Sequence, residues 1–172
     1  GYVSGKVLVG RHTILISVGS NIDKEHYIRE SIKALKLHFD DVSYSSVYES
    51  ESVGFDGSAF YNLVAKAVTS MSIIEVRDTF RQIESDNGRK HGEKKFCSRT
   101  LDLDLLTYDD QITHEPVVLP REEILYNAFV LWPLAELVPN EIHPVEGKTY
   151  EALWQAFDKE KQTLSPINFT WS

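Results

Sequence analysis

The stretch Ser98–Leu106 reads SRTLDLDLL and sets two aspartates, Asp102 and Asp104, two positions apart among leucines. In an extended strand, residues two apart share a face. The carboxylates then point one way, while Leu101, Leu103 and Leu105 point the other way, into a core. Along a strand the two carboxylates lie roughly 7 Å apart, twice a rise of about 3.3–3.4 Å per residue. Partly buried anions at that range repel, and desolvation adds to the cost. A divalent cation relieves both penalties, and all-oxygen ligands favour magnesium over zinc. Two solvated aspartates on the open face of an edge strand would satisfy the same spacing.

The residues ahead of this strand bear on the choice. Arg89, Lys90, Lys94, Lys95 and Arg99 fall within 11 positions, with His91 among them, in a chain holding 18 Lys and Arg. The net charge is -8, so the chain as a whole is a poor partner for nucleic acid or anionic lipid. An anion must be held by a local basic patch. Cations beside a two-carboxylate site suit a polyphosphate–magnesium complex, in which Arg and Lys neutralise charge that shifts during transfer. A solvated charged loop is the alternative. The chain has no G-x-x-x-x-G-K followed by Ser or Thr, which sets aside the P-loop enzymes.

The elements that must hold these groups follow from periodicity. HTILISVGSN is a buried strand ending in a turn. Tyr27, Ile28, Ile32, Leu35 and Phe39 recur at helical spacing from Asp23 onward. DVSYSSVYES is a strand with an irregularity between Tyr44 and Val47, and ESVGFDGSAF is a loop. YNLVAKAVTS alternates as a strand. A helix follows, with Ser72 as N-cap, Glu75 three residues on and Gly88 as its stop. Gly88–Ser98 is a loop and Leu101–Tyr108 a strand. DDQ is a turn, and ITHEPVVL returns as a short strand. Two helical pieces follow over Pro120–Val138, and another covers Tyr150–Phe157. The order is β-α-β-β-α-β with an added β-hairpin and extra helices, an α+β ferredoxin-like core.

Bulk properties agree with one folded domain over residues 1–172, with 1–11 as a possible terminal extension. Hydrophobic residues make up 42% and charged residues 26%, ordinary for a soluble globular chain. The one cysteine, Cys97, allows no intrachain disulfide. The longest apolar stretch, Ala128–Val138, is too short to span a bilayer. A cytoplasmic monomer, with no nucleic-acid or membrane partner, is the expectation.

SRTLDLDLL, together with SVGSN, YESESVG, FYNLVAKAV, IESDNGR and FVLWPLAEL in that spaced order around it, resembles the signature of the 6-hydroxymethyl-7,8-dihydropterin pyrophosphokinase family of folate biosynthesis. The resemblance runs from about Ile14 to Phe157. It implies a ferredoxin-like fold and pyrophosphoryl transfer from ATP to the pterin's hydroxymethyl oxygen, with release of AMP. It further implies two Mg2+ ions on Asp102 and Asp104, and Arg89 and Arg99 beside the phosphates. Asn62 would meet the pterin edge, Phe60 and Phe129 would sandwich its ring, and backbone groups of Ser50 and Val53 would complete the pocket. Glu84 and Leu105 would lie near the nucleotide. The loops Val53–Ser58 and Lys90–Ser98 are expected to close over substrate.

The chain departs from the family pattern at several positions. Arg121 stands where the family usually has His, and Asn127 where it usually has Arg. Gly92 replaces a common loop cation, Phe96 a common Trp, and Cys97–Ser98 a common Gly-Pro. Arg121 can still give a phosphate donor, since guanidinium binds phosphate well. Asn127 supplies no charge. Losing one such contact typically costs about 2–4 kcal/mol of transition-state stabilisation. Three outcomes stay open: an active enzyme with re-sited cations, one acting on a related pterin or nucleotide, or a degenerate paralogue that binds pterin or nucleotide without efficient transfer.

Overall fold

The computed structural model describes residues 10–50, 59–88 and 100–171. Val53, Arg89, Gly92 and Arg99 lie outside the described residues, as do the segments expected to close over substrate.

Strand β1 (His12–Ser20) is central in the sheet, and Ile14, Leu15 and Ile16 in it are all buried. A strand covered on both faces reads as a continuous apolar run, as this one does. Helix α1 (Lys24–His38) turns Ile28, Ile32 and Leu35 inward at helical spacing. Strands β2 (Asp40–Tyr44) and β3 (Val47–Ser50) then run in sequence along the same edge of β4 (Phe60–Thr69). The break between β2 and β3 is the expected irregularity. Helix α2 (Ile73–Asp86) opens on a capping box, with Glu75 N–H donating to Ser72 Oγ at 3.2 Å and Ser72 N–H to Glu75 Oε1 at 2.8 Å. It ends before Gly88, whose φ of 87° only glycine adopts without strain. Strand β5 (Asp102–Tyr108) completes the β-α-β-β-α-β core.

The sheet order is β5-β1-β4-β3-β6, with β2 also on β4 and every pair antiparallel. One face, carrying Ile14, Ile16, Val18, Leu63, Ala65, Leu103 and Leu105, packs on α1 and α2. The other face, carrying Leu15, Val64 and Leu106, packs on α3 (Ala128–Leu137) through Val130, Leu131 and Leu134, with α4 (Tyr150–Ala156) outside it. Each fully buried Leu or Ile contributes about 1.5–3 kcal/mol relative to an exposed one. Glu136 fixes α3 to the sheet edge, accepting from the Tyr48 hydroxyl and, at 3.0 Å, from both Ser46 N–H and Ser46 Oγ. Burial and the Glu136 carboxylate push the Tyr48 hydroxyl pKa far up, so it stays a donor.

Two expectations need correction. ITHEPVVL does not form a strand; it makes a single bridge, Thr113 to Leu119. Pro116 within it has no N–H to give a ladder. A strand absent from the expected order, β6 (Leu164–Ile167), pairs with β3 instead. Its Pro166 hides the pattern, and the edge position tolerates it.

Behind α4, the loop between Ile142 and Thr149 folds around buried His143, whose Nδ1 accepts from Val145 N–H at 3.2 Å and Glu146 N–H at 3.0 Å. Burial lowers the His143 pKa below 6.5, opposed by Glu146. The unfolded chain therefore takes up a proton first, and stability is lost as pH falls through 6.5. Thermal unfolding should show a decline in Tm between pH 7 and pH 5 that is reduced in His143→Gln.

Candidate active site

Helix α3 covers only part of its face of the sheet. Strand alternation carries that face on toward one end, through Ser17 and Gly19 of β1, Tyr48 and Ser50 of β3, Phe60 and Asn62 of β4, and Asp102 and Asp104 of β5. Register places Gly19 opposite both Asn62 and Asp102, Ser17 opposite Asp104, and Tyr48 opposite Asn62. One row, Tyr48–Asn62–Gly19–Asp102, thus crosses four strands. A register shift between Leu15 and Ile16 sets this alignment, and it is what brings the aspartates level with Asn62.

Gly19 is the floor of the row. A Cβ there would stand 3.0 Å from Asn62 Oδ1 and 3.9 Å from Phe60 Cδ1. Asn62 is buried, and its Nδ2 donates to the buried Ser50 Oγ at 3.1 Å. That bond fixes the plane of an amide offering both donor and acceptor chemistry. Phe60 is half-buried beside it. Phe129, also half-buried, stands in the first turn of α3 and packs on the second core cluster.

At the β5 side the site is acidic. Burial, with Asp102 next to it, pushes the Asp104 carboxyl up to about 7; Glu123 and Glu84 add to this and Arg121 opposes it. Arg121 leaves β5's neighbourhood only slightly: its N–H donates to Leu106 O at 2.9 Å, and its guanidinium lies 3.6 Å from Asp104 Oδ1. The Arg121 Nε also donates to Glu123 Oε1 at 2.7 Å, and Asn127 Nδ2 donates to Glu123 Oε2 at 3.0 Å. Among the described residues, one guanidinium is thus shared between two half-buried carboxylates. Among the described residues no group of three or more His, Cys, Asp or Glu gathers to hold a metal by itself. Two carboxylates plus a ligand's own oxygens are, however, the usual way a protein holds magnesium. The donor set fits that ion.

Residues 15–139 match the model of the 7,8-dihydro-6-hydroxymethylpterin-pyrophosphokinase family, which is most of the chain. The chain belongs to this family. It is 32% identical to the 2-amino-4-hydroxy-6-hydroxymethyldihydropteridine pyrophosphokinase of Aquifex aeolicus, over 90% of the chain and 95% of that protein. It is 35% identical to the Bacillus subtilis enzyme of the same name, over 71% of the chain and 75% of that protein. Its fold resembles that of the pyrophosphokinase part of Plasmodium falciparum HPPK-DHPS, with a TM-score of 0.69 at 11% identity. The chain covers 84% of its own length in that likeness and spans 43% of the longer protein.

Within this pyrophosphokinase fold, Ser50, Phe60, Asn62, Asp102 and Asp104 share one sheet face, with Arg121 against Asp104. Leu105 does not join them. Its side chain lies in the core on the opposite face, as strand alternation requires, so it packs rather than lining the site. Glu84 is buried, and its Oε2 accepts from Leu103 N–H at 2.8 Å. It therefore ties α2 to β5 between the two aspartates. Ser50 offers its hydroxyl to Asn62, while its backbone is in register with Phe60 on one side and Leu164 on the other. Asn127 bonds Glu123 rather than standing as an isolated neutral substitute.

Two residues beside these groups escaped the sequence reading: Gly19 and Glu123. Gly19 had a signal, since glycine interrupts an otherwise bulky strand beside a polar turn. Glu123 had only its nearness in sequence to Arg121 and Asn127.

Proposed function

We propose that this chain transfers pyrophosphate from ATP to the hydroxymethyl oxygen of 6-hydroxymethyl-7,8-dihydropterin. A new oxygen–phosphorus bond forms at the β-phosphorus, the bond to the α-phosphate oxygen breaks, and AMP leaves. The observation that carries this reading is one sheet face on which an amide and an aromatic ring stand in register with two aspartates of strand β5, in a chain of the pyrophosphokinase family.

Asn62 reads the pterin edge, with Ser50 holding the amide in plane. Phe60 and Phe129 give the flat ring two apolar faces, and Gly19 leaves the space between sheet and ring open. Val53, from outside the described residues, adds a backbone contact. Arg89, Arg99 and Arg121 neutralise phosphate charge. Asp102 and Asp104 would hold two Mg2+ ions, whose positive charge would offset the negative charge of the polyphosphate. A cytoplasmic monomer remains the expected state; among the described residues no helix is long and apolar enough to cross a membrane.

The direct test is incubation with Mg2+, ATP and 6-hydroxymethyl-7,8-dihydropterin, followed by measurement of AMP. Both ligands binding without AMP would favour the non-catalytic binding module, which Asn127 in place of a cation suggests. A finer test concerns the pocket floor. Gly19→Ala puts a methyl 3.0 Å from Asn62 Oδ1. The amide must turn, and pterin affinity should fall about tenfold, the loss of roughly one hydrogen bond to a polar group. ATP affinity should stay within twofold. Phe129→Ala should likewise weaken pterin binding much more than ATP binding, and equal losses would count against the ring sandwich.

A further inference from the structure

Helix α3 begins without the device that usually starts a helix. Its N-cap residue, Asn127, makes no side-chain capping bond, because its amide is turned to Glu123. The first N–H of the helix, on Ala128, is instead met from far along the chain. Gln162 Oε1 accepts it at 2.6 Å. The other end of the same amide donates to Tyr126 O at 3.1 Å and to Asn127 Oδ1 at 3.4 Å. All the hydrogen-bonding atoms of one side chain are thus spent on the three residues that precede Phe129.

Gln162 is itself held on the C-terminal side. Two residues later β6 begins, with Leu164 paired to Ser50, the partner of Asn62. Beyond it, Arg29 Nε donates to Thr170 O at 2.7 Å, and Phe169 packs edge-on to Tyr61. The C-terminal segment therefore touches both elements that carry the proposed pterin contacts: β3 through Leu164, and the start of α3 through Gln162. From Gln162 a continuous polar path runs through Asn127, Glu123 and Arg121 to Asp104. Gln162 lies beyond residues 15–139, the span that matches the family model.

We propose that Gln162 is a positioning residue: it caps the N-terminus of α3 and so fixes Phe129 against the pterin site. The proposal rests on the pyrophosphokinase reading for its ligand. A side chain anchored by the strand that follows it pre-organises what it bonds, and a ring placed by a frayed helix start would lose part of its contact energy.

The test compares wild type, Gln162→Ala and Gln162→Glu in the full chain, by steady-state AMP formation, by calorimetric titration with 6-hydroxymethyl-7,8-dihydropterin, and by Tm. Gln162→Ala removes the cap; the pterin KM and Kd should rise about tenfold, the scale of a lost helix cap, with the ATP KM within twofold. Gln162→Glu keeps an acceptor for Ala128 N–H but loses the donor to Tyr126 O, and should restore only part of the pterin affinity. Unchanged pterin binding in Gln162→Ala overturns the proposal. So does a parallel loss for both substrates that tracks Tm. Wild type that binds the pterin but makes no AMP overturns the pyrophosphokinase reading alone, since the titration still reports on Gln162. Wild type that does not bind the pterin overturns both.

Discussion

Asp104→Asn should lower AMP formation by at least about 10³-fold while making the metal-free protein more stable at pH 8. The activity loss follows from removing half of the proposed two-carboxylate magnesium site; several kcal/mol of transition-state charge stabilisation at about 1.36 kcal/mol per tenfold gives that factor. The stability gain follows from the environment of Asp104. Its carboxyl is raised from 3.8 to about 7, first by burial and then by Asp102. A carboxylate whose folded pKa lies above its unfolded value is penalised in the native state at high pH. The penalty is complete above pH 7, fades as pH falls through 7 and is gone near pH 4. The full shift would correspond to about 4 kcal/mol at 1.36 kcal/mol per unit. Asp104 is 31% exposed at its side chain, and the asparagine forfeits the Arg121 ion pair, so a net gain of about 1–2 kcal/mol is expected. At roughly 2–4 °C per kcal/mol for a chain of this size, the shift is measurable by calorimetry. The gain should shrink from pH 8 to pH 5. Normal turnover by the variant would remove Asp104 from the metal site, and an unchanged Tm at pH 8 would show that its charge is not strained.

Arg121→Ala should act in the opposite sense on stability and in the same sense on catalysis. The guanidinium is the group that offsets Asp104 at 3.6 Å and Glu123 at 2.7 Å. Without it, two carboxylates face each other with Asp102 close behind. The metal-free protein should lose about 1 kcal/mol at pH 8, the scale of a partly exposed pair. In catalysis Arg121 is the one described cation beside the aspartates, and removing a single donor to a charged transition state costs about 10²–10³-fold. The loss should appear in kcat, with pterin affinity within threefold. Arg121→Lys keeps the charge but not the fork, and should recover part of the rate. A rate within threefold of wild type in Arg121→Ala would falsify a phosphate role. The double variant with Asp104→Asn should be more stable than the sum of the two singles, because the charge that needed Arg121 is gone.

The motifs were legible because their logic is local. SRTLDLDLL specifies a strand with leucines on one face and aspartates on the other, and β5 has that form. Ser72 and Glu75 announce the start of α2, and Gly88 its end. These features depend on a period of two or 3.6 residues, or on one reciprocal pair of hydrogen bonds. The failures were equally physical. ITHEPVVL has strand composition, yet Pro116 denies it a ladder. Leu164–Ile167 lacks strand composition, yet the open edge of β3 recruits it.

The sequence by itself determined the acidic strand, the basic segment ahead of it, the β-α-β-β-α-β order and the family resemblance on which the chemical reading rests. Tertiary structure alone decided that a register shift between β1 and β5 sets Gly19 between Asn62 and Asp102. It also decided that Arg121 is shared between Asp104 and Glu123, and that the start of the Phe129 helix is capped by Gln162, 34 residues from the N–H it accepts. The physical reason is the range of the interactions. Backbone periodicity and capping act within a few residues and leave a pattern in the chain. Register, shared ion pairs and long-range caps depend on which surfaces meet after collapse, and no short stretch of sequence encodes that meeting.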